Sequence, residues 1–343
     1  QCGSRGLGDV YKRQPLEIGG GFGGKIPIYL EPVCATLSKK SGRPVKAVME
    51  RSNVFQASGP APGGTITVKM GTDKNGKLIA ADTSIKLEAG GFPGAAVGAA
   101  VQCVFAPYDI ANTRIDGYDI VVNKPKSAAY RAPGSPQAAF ASETVVNELA
   151  ELHGMDPVEF RLLNASKEGT RRADGVVFPV IGNEEVLEAA KASDHWNSEL
   201  GTPMKGRVRG RGVASGYWFN VGLKSTVNLT VNTDGVVALV EGSTDIGGTR
   251  TSISMQAAEV LGIPATDFRP TVGDTETAGY ADVTGGSRTT YATGFAAVKA
   301  AENLIEVLKD RCSIIWSIDK EDIDFDNGTF FATKDPELKF TFK

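Results

Sequence analysis

Alternating apolar and polar positions recur in pairs along this chain. Thr65-Ile66-Thr67-Val68-Lys69-Met70 alternates with a period of two. Turn chemistry follows at Asp73-Lys74-Asn75-Gly76, and Leu78 to Leu87 returns as the partner strand of a hairpin. The same order reappears later: Thr226 to Val231, a turn at Asn232-Thr233-Asp234-Gly235, then Val236 to Glu241. Strands are also predicted at Val45–Met49 and Tyr118–Asn123, with a last pair around the turn Asp326-Asn327-Gly328. Helical spacing marks Tyr29 to Lys40, closed by Ser41-Gly42. A longer helix spans Pro136 to His153, with Phe140, Val145, Val146, Leu149 and Leu152 as its expected buried face. Asp156-Pro157-Val158-Glu159 caps a further helix that runs to Asn164, and Glu184 to Ala192 forms a weaker one. Two more helices complete the set. One ends at Leu261 before Gly262 and Pro264, and the other covers Thr290 to Lys309 with Phe295, Val298, Ala301, Leu304, Ile305 and Leu308 on its apolar side. Glu88 to Val101 is Gly/Ala-rich and reads as a loop with a short helix.

Each half thus couples an alternating hairpin to helices and to glycine-bearing loops. This predicts an α+β fold of two related domains, with mixed sheets, hairpins and flanking helices, and with loops from both facing one cleft. The irregular stretch Asp194 to Gly206 is the expected boundary, giving domains at 15–195 and 206–343. Just beyond it, Arg207, Arg209 and Arg211 alternate, which fits either a phosphate grip or a solvated edge strand.

Composition narrows the classes. The chain has 343 residues, 41% of them hydrophobic and 22% charged, which suits two domains with real cores. A formal net charge of −3 offers no broad basic field for nucleic acid or an acidic membrane. No apolar run approaches the roughly 20 residues needed to span a bilayer. The four cysteines, Cys2, Cys34, Cys103 and Cys312, form no C-x-x-C pair, so no zinc or iron–sulfur site is expected from this chain alone, and a reducing, cytoplasmic setting is expected. Residues 1–14 carry no structural period. Asp9-Val10-Tyr11-Lys12-Arg13-Gln14 resembles a translated transposon end used in sequencing libraries, so these residues are read as a non-native scar and set aside.

Candidate chemistry gathers in four polar, glycine-bearing loops: 19–25, 130–134, 245–250 and 285–289. Each lies near a helix start, where backbone N–H groups favour anions. Gly19-Gly20-Gly21-Phe22-Gly23-Gly24-Lys25 is the densest. It matches a P-loop as far as the lysine, but Ile26 stands where Ser or Thr should follow. It also matches the dinucleotide fingerprint, but Ile26-Pro27-Ile28 is extended rather than helical. There is no G-x-S-x-G or H-E-x-x-H, and His153 and His195 are the only histidines, so hydrolase triads and zinc sites are poor candidates. His153 reads as a helix-terminal residue. Glu143, Glu148 and Glu259 read as solvated or capping carboxylates.

Six ordered motifs resemble one family. They are GGGFGGK at 19–25, PYDIAN at 107–112, AYRAPGSPQ at 129–137, GMDPVEFRLLN at 154–164, DIGGTRTSISMQAAEVLGIP at 245–264 and GDT…GGSRTT…TGFAA at 273–297. Together they are similar to the molybdopterin-binding large subunit of the xanthine dehydrogenase, aldehyde oxidase and carbon monoxide dehydrogenase family. The resemblance implies two molybdopterin-binding domains, and a molybdenum cofactor in its cytosine dinucleotide form held through the pterin rather than by protein side chains. It implies hydroxylation with oxygen from water. It also implies [2Fe-2S] and FAD on partner subunits, in a dimer of heterotrimers, as the route for electrons. By position, Gly21, Phe22, Gly23 and Gly24 would face the molybdenum ligands, and Arg131 and Ala132 would form a second active-site loop. Gly247, Gly248, Thr249 and Arg250, with Gln256, and Gly286, Ser287, Arg288 and Thr289 would hold the pterin and its phosphates.

The departures concern substrate. Ile26 replaces the glutamate of purine-oxidising members, Ala99 stands near their arginine, and Ala132 replaces the copper-binding cysteine of carbon monoxide dehydrogenases. With Pro133, these residues imply an apolar pocket for an aldehyde or N-heteroaromatic small molecule. Gly248 replaces the glutamine of the family's D-x-G-Q-G loop. The family's glutamate base, in a G-x-G-E motif, is expected beyond Lys343, so no catalytic residue is identified here and the 343 residues alone are expected to be inactive. Two alternatives stay open: a nucleotide- or phosphate-binding domain without molybdenum, and a non-catalytic family member.

Overall fold

The computed structural model describes residues 18–343. The reading of residues 1–14, and of Cys2 within them, lies outside the described residues. In chain order the helices are α1 (Glu31–Ser41), α2 (Arg51–Ala57), α3 (Val97–Cys103), α4 (Ser135–Leu152), α5 (Pro157–Asn164), α6 (Asn183–Ala192), α7 (Asp194–Asn197), α8 (Thr249–Leu261) and α9 (Gly294–Trp316). The strands are β1 (Gly64–Thr72), β2 (Leu78–Gly90), β3 (Asn112–Val121), β4 (Val227–Val231), β5 (Val237–Glu241), β6 (Phe268–Val272), β7 (Ile323–Asp326), β8 (Thr329–Ala332) and β9 (Asp335–Thr341). Two compact units result: residues 49–218, and residues 18–48 together with 219–343. The opening glycine stretch therefore folds with the C-terminal half of the chain, which sequence order does not announce.

In the central unit, β1 and β2 pair antiparallel with Ile66 opposite Ile85, and β3 joins β2 in parallel. Asp73 shapes the connecting turn by accepting from the N–H groups of Asn75 and Lys77, both at 2.9 Å. Leu78, Ile85, Leu87, Val104, Phe105, Val146 and Phe160 form the core. Each such side chain contributes roughly 1.5–3 kcal/mol by leaving water. Asp156 caps α5 as expected, accepting from Val158 N (2.8 Å) and Glu159 N (3.2 Å).

The other unit repeats the pattern. β4 and β5 pair antiparallel with Leu229 opposite Leu239, and β6 lies parallel to β5. Val237, Leu239, Ile253, Ala257, Leu261, Phe268, Ala297 and Ala301 make its core. A third sheet, β7-β8-β9, packs Ile323 and Phe330 against Cys312 of α9. The mixed hairpin-plus-parallel-strand sheets and flanking helices agree with the α+β expectation.

Several expectations need correction. Val45–Met49 is not a strand: no neighbour supplies a ladder, Val48 is exposed, and the segment runs into α2. On α4 the buried stripe is Ala138, Ser142, Val146 and Ala150, while Phe140 and Leu152 are 81% and 78% exposed. Four-residue spacing of small side chains lets α4 approach its neighbours closely, and the large residues are left outside. On α9, likewise, Gly294, Ala297 and Ala301 face inward and Phe295 is exposed. Arg207, Arg209 and Arg211 lie in no strand. Arg209 donates to Leu200 O (3.1 Å), and Arg211 donates to the carbonyls of Trp196 and Ser198.

Candidate cofactor site

Three of the four glycine-bearing loops meet within the unit of residues 18–48 and 219–343. In the first, Gly24 N–H donates to Gly21 O at 2.9 Å, and the two central residues, Phe22 and Gly23, have φ of 51° and 97°. This is a turn with both central residues left-handed, the I′ pattern. Phe22 is strained there, and its ring stands 61% exposed. Lys25 folds back, with Nζ on Ile18 O at 2.6 Å, so its ammonium serves the loop itself. Ile26 follows, half exposed, with Cδ1 against Gly285 of the 285–289 loop. The 285–289 and 245–250 loops are joined next door, where Thr244 N–H donates to Thr284 Oγ1 at 3.2 Å.

Positive φ concentrates at these loops. Among the described residues the non-glycine positions are Phe22, Ala132, Leu223, Ser287, Ser317 and Asn327, and three of them stand in loops singled out from sequence. Gly286 also has φ 68°, and a Cβ there would fall 2.1 Å from a Val221 methyl. Val221 N–H and the Asn220 side-chain amide donate to the carbonyls of Gly286 and Ser287 at 3.2 and 2.8 Å. In a planar trans peptide the next N–H points the opposite way, so the amides of Ser287 and Arg288 point away from segment 220–221. That is the arrangement an anion nest requires.

The side chains in the loops are less available than the backbone. Arg288 is 1% exposed, and its five N–H donors go to Gly222 O (2.7 Å), Asp282 O (3.0 Å), Val283 O (3.4 Å), Lys224 O (2.7 Å) and Ser225 Oγ. The guanidinium expected to hold phosphate is thus committed to main-chain carbonyls of segments 222–224 and 282–283, with Ser225 Oγ. Arg250 Nε donates to Asp245 Oδ2 at 2.7 Å, and Thr249 Oγ1 donates to Asp245 Oδ1 at 3.0 Å. Burial works against ionisation of Asp245, but the hydrogen bonds from Arg250 and Thr249 outweigh it and hold the carboxyl below its ordinary value. Gln256 donates to Thr290 O (3.2 Å) and packs on Gly294, so it braces α8 against the start of α9. Gly247 and Gly248, with φ of 67° and 85°, lead into α8.

The fourth loop belongs to the central unit. Ala132 has φ 56°, and Gly134, φ 87°, sits so close to α3 that a Cβ would fall 2.4 Å from Ala96 O. Pro133 and Ala99, both partly exposed, are thereby brought to one neighbourhood, since α3 carries Ala99. Arg131 is exposed on this loop.

Two buried polar groups were not foreseen. Glu143, read from sequence as solvated or capping, is 4% exposed. It accepts from Arg161 Nε (3.0 Å) and Nη2 (2.7 Å), from Ser215 N (2.7 Å) and from the Tyr108 hydroxyl. Burial, reinforced by the Glu143 charge, pushes the Tyr108 hydroxyl well above its ordinary range. Glu241 is fully buried, with one oxygen accepting from Ser243 N–H and Oε1 without a partner. Thr289 Oγ1 is likewise buried and unpartnered. No local signal marked Glu143, whose partner lies on another helix. Glu241 was visible only as the last residue of a strand.

Among the described residues, no cluster of His, Cys, Asp or Glu could hold a metal ion, and no helix is long and apolar enough to cross a membrane. Left-handed backbone, glycine positions without room for a Cβ, and the orphaned Thr289 hydroxyl fit a large, polar, anionic cofactor bound through main-chain groups.

Comparison with known proteins agrees. Models of the molybdopterin cofactor-binding domain match residues 11–165 and 185–343. The aldehyde oxidoreductase molybdenum-binding subunit PaoC of Escherichia coli O157:H7 is 32% identical over 272 residues, covering 75% of this chain and 36% of that subunit. The nicotinate dehydrogenase large molybdopterin subunit of Eubacterium barkeri is 35% identical over 178 residues, covering 50% of this chain and 42% of that one. The fold matches that of quinoline 2-oxidoreductase from Pseudomonas putida with a TM-score of 0.81 at 21% identity, over 95% of this chain and 45% of that chain. The chain thus spans under half the length of these proteins. It belongs, with its two molybdopterin cofactor-binding domains, to the family of molybdenum-binding subunits that includes aldehyde oxidoreductase and xanthine dehydrogenase.

Proposed function

We propose that this chain is the cofactor-holding part of a molybdenum hydroxylase subunit that acts on an aldehyde or an N-heteroaromatic compound. The observation that carries the proposal is the meeting of the 19–25, 245–250 and 285–289 loops in one unit, with left-handed backbone at Phe22, Gly247, Gly248, Gly286 and Ser287. When bound, the molybdenum-bearing pterin supplies a two-electron oxidation that places oxygen from water on a substrate carbon. Gly21 to Gly24 hold its metal end, with Arg131 and Ala132 lining the second loop. The amides of Gly286 to Thr289 and of Gly247 to Arg250 take its phosphates and pterin edge, in the cytosine dinucleotide form, while Gln256 steadies α8 behind them. Ile26, Ala99 and Pro133 supply uncharged substrate contacts, and the likeness to an aldehyde oxidoreductase subunit supports that polarity. Electrons leave to iron–sulfur and FAD partner subunits in a cytoplasmic dimer of heterotrimers. The repeated hairpin supports 15–195 and 206–343 as the two related domains.

The test uses the full-length protein that carries this sequence. Elemental analysis should find molybdenum, and acid release should yield a fluorescent pterin together with CMP. A protein free of molybdenum but able to bind nucleotide overturns the reading in favour of a nucleotide module. Aromatic aldehydes and pyridine- or quinoline-type substrates should be turned over in preference to purines. Preferential purine turnover would remove the substrate assignment and leave the cofactor assignment standing.

A further inference from the structure

Arg288 stands at the head of a buried ladder of hydrogen bonds. It donates to Ser225 Oγ, Ser225 Oγ lies 2.9 Å from Thr293 Oγ1, and Thr293 Oγ1 lies 3.0 Å from Ser243 Oγ. Ser243 N–H in turn donates to Glu241 Oε2 at 2.5 Å. Arg288, Thr293, Ser243 and Glu241 are all at most 1% exposed. Ser225 Oγ accepts from Arg288, and within each of the two hydroxyl pairs either oxygen can be the donor. Such chains polarise one another and hold their members at fixed spacing. The ladder begins in the 285–289 loop and ends at the entry to the 245–250 loop.

We infer that Arg288 is a positioning residue rather than an anion contact: it clamps the 285–289 loop through the main chain, and the hydroxyls of Ser225, Thr293 and Ser243 carry that constraint to the 245–250 loop. This rests on the reading that the two loops hold the cofactor. Lysine cannot replace the clamp, because three donors on one nitrogen cannot reach carbonyls at 222, 224, 282 and 283 together.

The test uses the full-length protein prepared without cofactor, as wild type and as Arg288→Lys, Ser225→Ala, Thr293→Val and Thr293→Ser. Amide hydrogen exchange is read on the two loops and, as an internal reference, on β5 and the C-terminal half of α9. Arg288→Lys and Thr293→Val should speed exchange in both loops by about tenfold or more and leave the reference segments unchanged, while Thr293→Ser stays at the wild-type rate. On loaded protein, the same variants and Ser225→Ala should lose pterin faster, with a salt dependence of release equal to that of wild type, since no phosphate contact has been removed. The inference is overturned if Thr293→Val leaves both loops protected. It is also overturned if Arg288→Lys alone loses pterin and does so with a weakened salt dependence. Should Arg288→Lys not fold, the hydroxyl variants decide the matter. Exchange on cofactor-free protein reads the clamp even if full-length wild type binds no pterin, so the two failures are distinguishable.

Discussion

Among the described residues each unit buries one arginine and one glutamate, and the two units use them differently. In the central unit Arg161 meets Glu143 directly with two donors, and Tyr108, Ser215 and Asn147 complete the network. Both carboxylate oxygens of Glu143 have partners. In the other unit Arg288 faces main-chain carbonyls, its link to Glu241 runs through the hydroxyls of Ser225, Thr293 and Ser243 and then the Ser243 N–H, and Glu241 keeps one oxygen unpartnered. The first arrangement ties α4 to α5, to Tyr108 and to Ser215. The second sits under two glycine loops. A satisfied ion pair stabilises a fold; a cation spent on carbonyls fixes the shape of a loop, which is what backbone recognition of a ligand needs.

The largest effect should come from breaking the direct pair. Arg161→Met leaves the Glu143 carboxylate buried without its counter-charge and should destabilise the central unit by about 3–5 kcal/mol. Replacing both residues, as Glu143→Met with Arg161→Met, should recover much of that loss, because no unpaired charge then remains. The comparison predicts no such rescue for Arg288→Met by Glu241→Met, since the groups left bare there are carbonyls. Urea unfolding of the four variants decides this, and equal coupling in both pairs would erase the distinction.

The next effect compares two tight glycines. Gly134→Ala puts a methyl 2.4 Å from a backbone oxygen, Ala96 O, at φ 87°, and should cost roughly 2–4 kcal/mol. Gly286→Ala meets Val221 Cγ2 at 2.1 Å and Cβ at 2.8 Å; rotation about χ1 relieves only the first, so a small shift of the exposed Val221 adds to the φ penalty of about 1–2 kcal/mol, and the total should stay below that at Gly134, where the obstacle is backbone. Thermal unfolding that ranks Gly286→Ala as the costlier of the two would show that the 285–289 loop is the more rigidly packed.

Much of this was legible in the chain. The turns of both hairpins, opened by Asp73 and Asn232, and the Asp156 cap are local chemistry, set by residues within five positions of each other. The four glycine loops could be marked as a group because glycine density and resemblance to one family point to the same places. What escaped depends on distant partners. Phe140, Leu152 and Phe295 have helical spacing suited to burial, yet smaller residues nearby, Ala138, Ser142, Ala150 and Ala297, take the packed face instead. Glu143 looks like any helix glutamate until α5 brings Arg161 to it. Arg288 looks like a phosphate ligand until segments 222–225 and 282–283 present their carbonyls, and nothing in a glycine-serine-arginine run tells which oxygens will be nearest.

The smallest effect concerns the unpartnered oxygen. Burial raises the Glu241 carboxyl above its ordinary 4.5, only partly offset by the bonds from Ser243. A carboxyl raised on folding binds protons more tightly in the folded state, so its contribution to stability is full below about 4.5 and is lost as pH rises through the raised folded value. Glu241→Gln keeps an acceptor for Ser243 N–H and removes the titration. Melting curves of wild type and variant should therefore coincide near pH 4, and the variant should become the more stable as the pH approaches 7. Glu143→Gln should move the other way at pH 7, because it removes the negative member of a direct pair. If Glu241→Gln and Glu143→Gln instead shifted stability in the same direction at pH 7, Glu241 would be an ion-paired residue like Glu143, and the contrast between the two buried pairs would reduce to one of spacing.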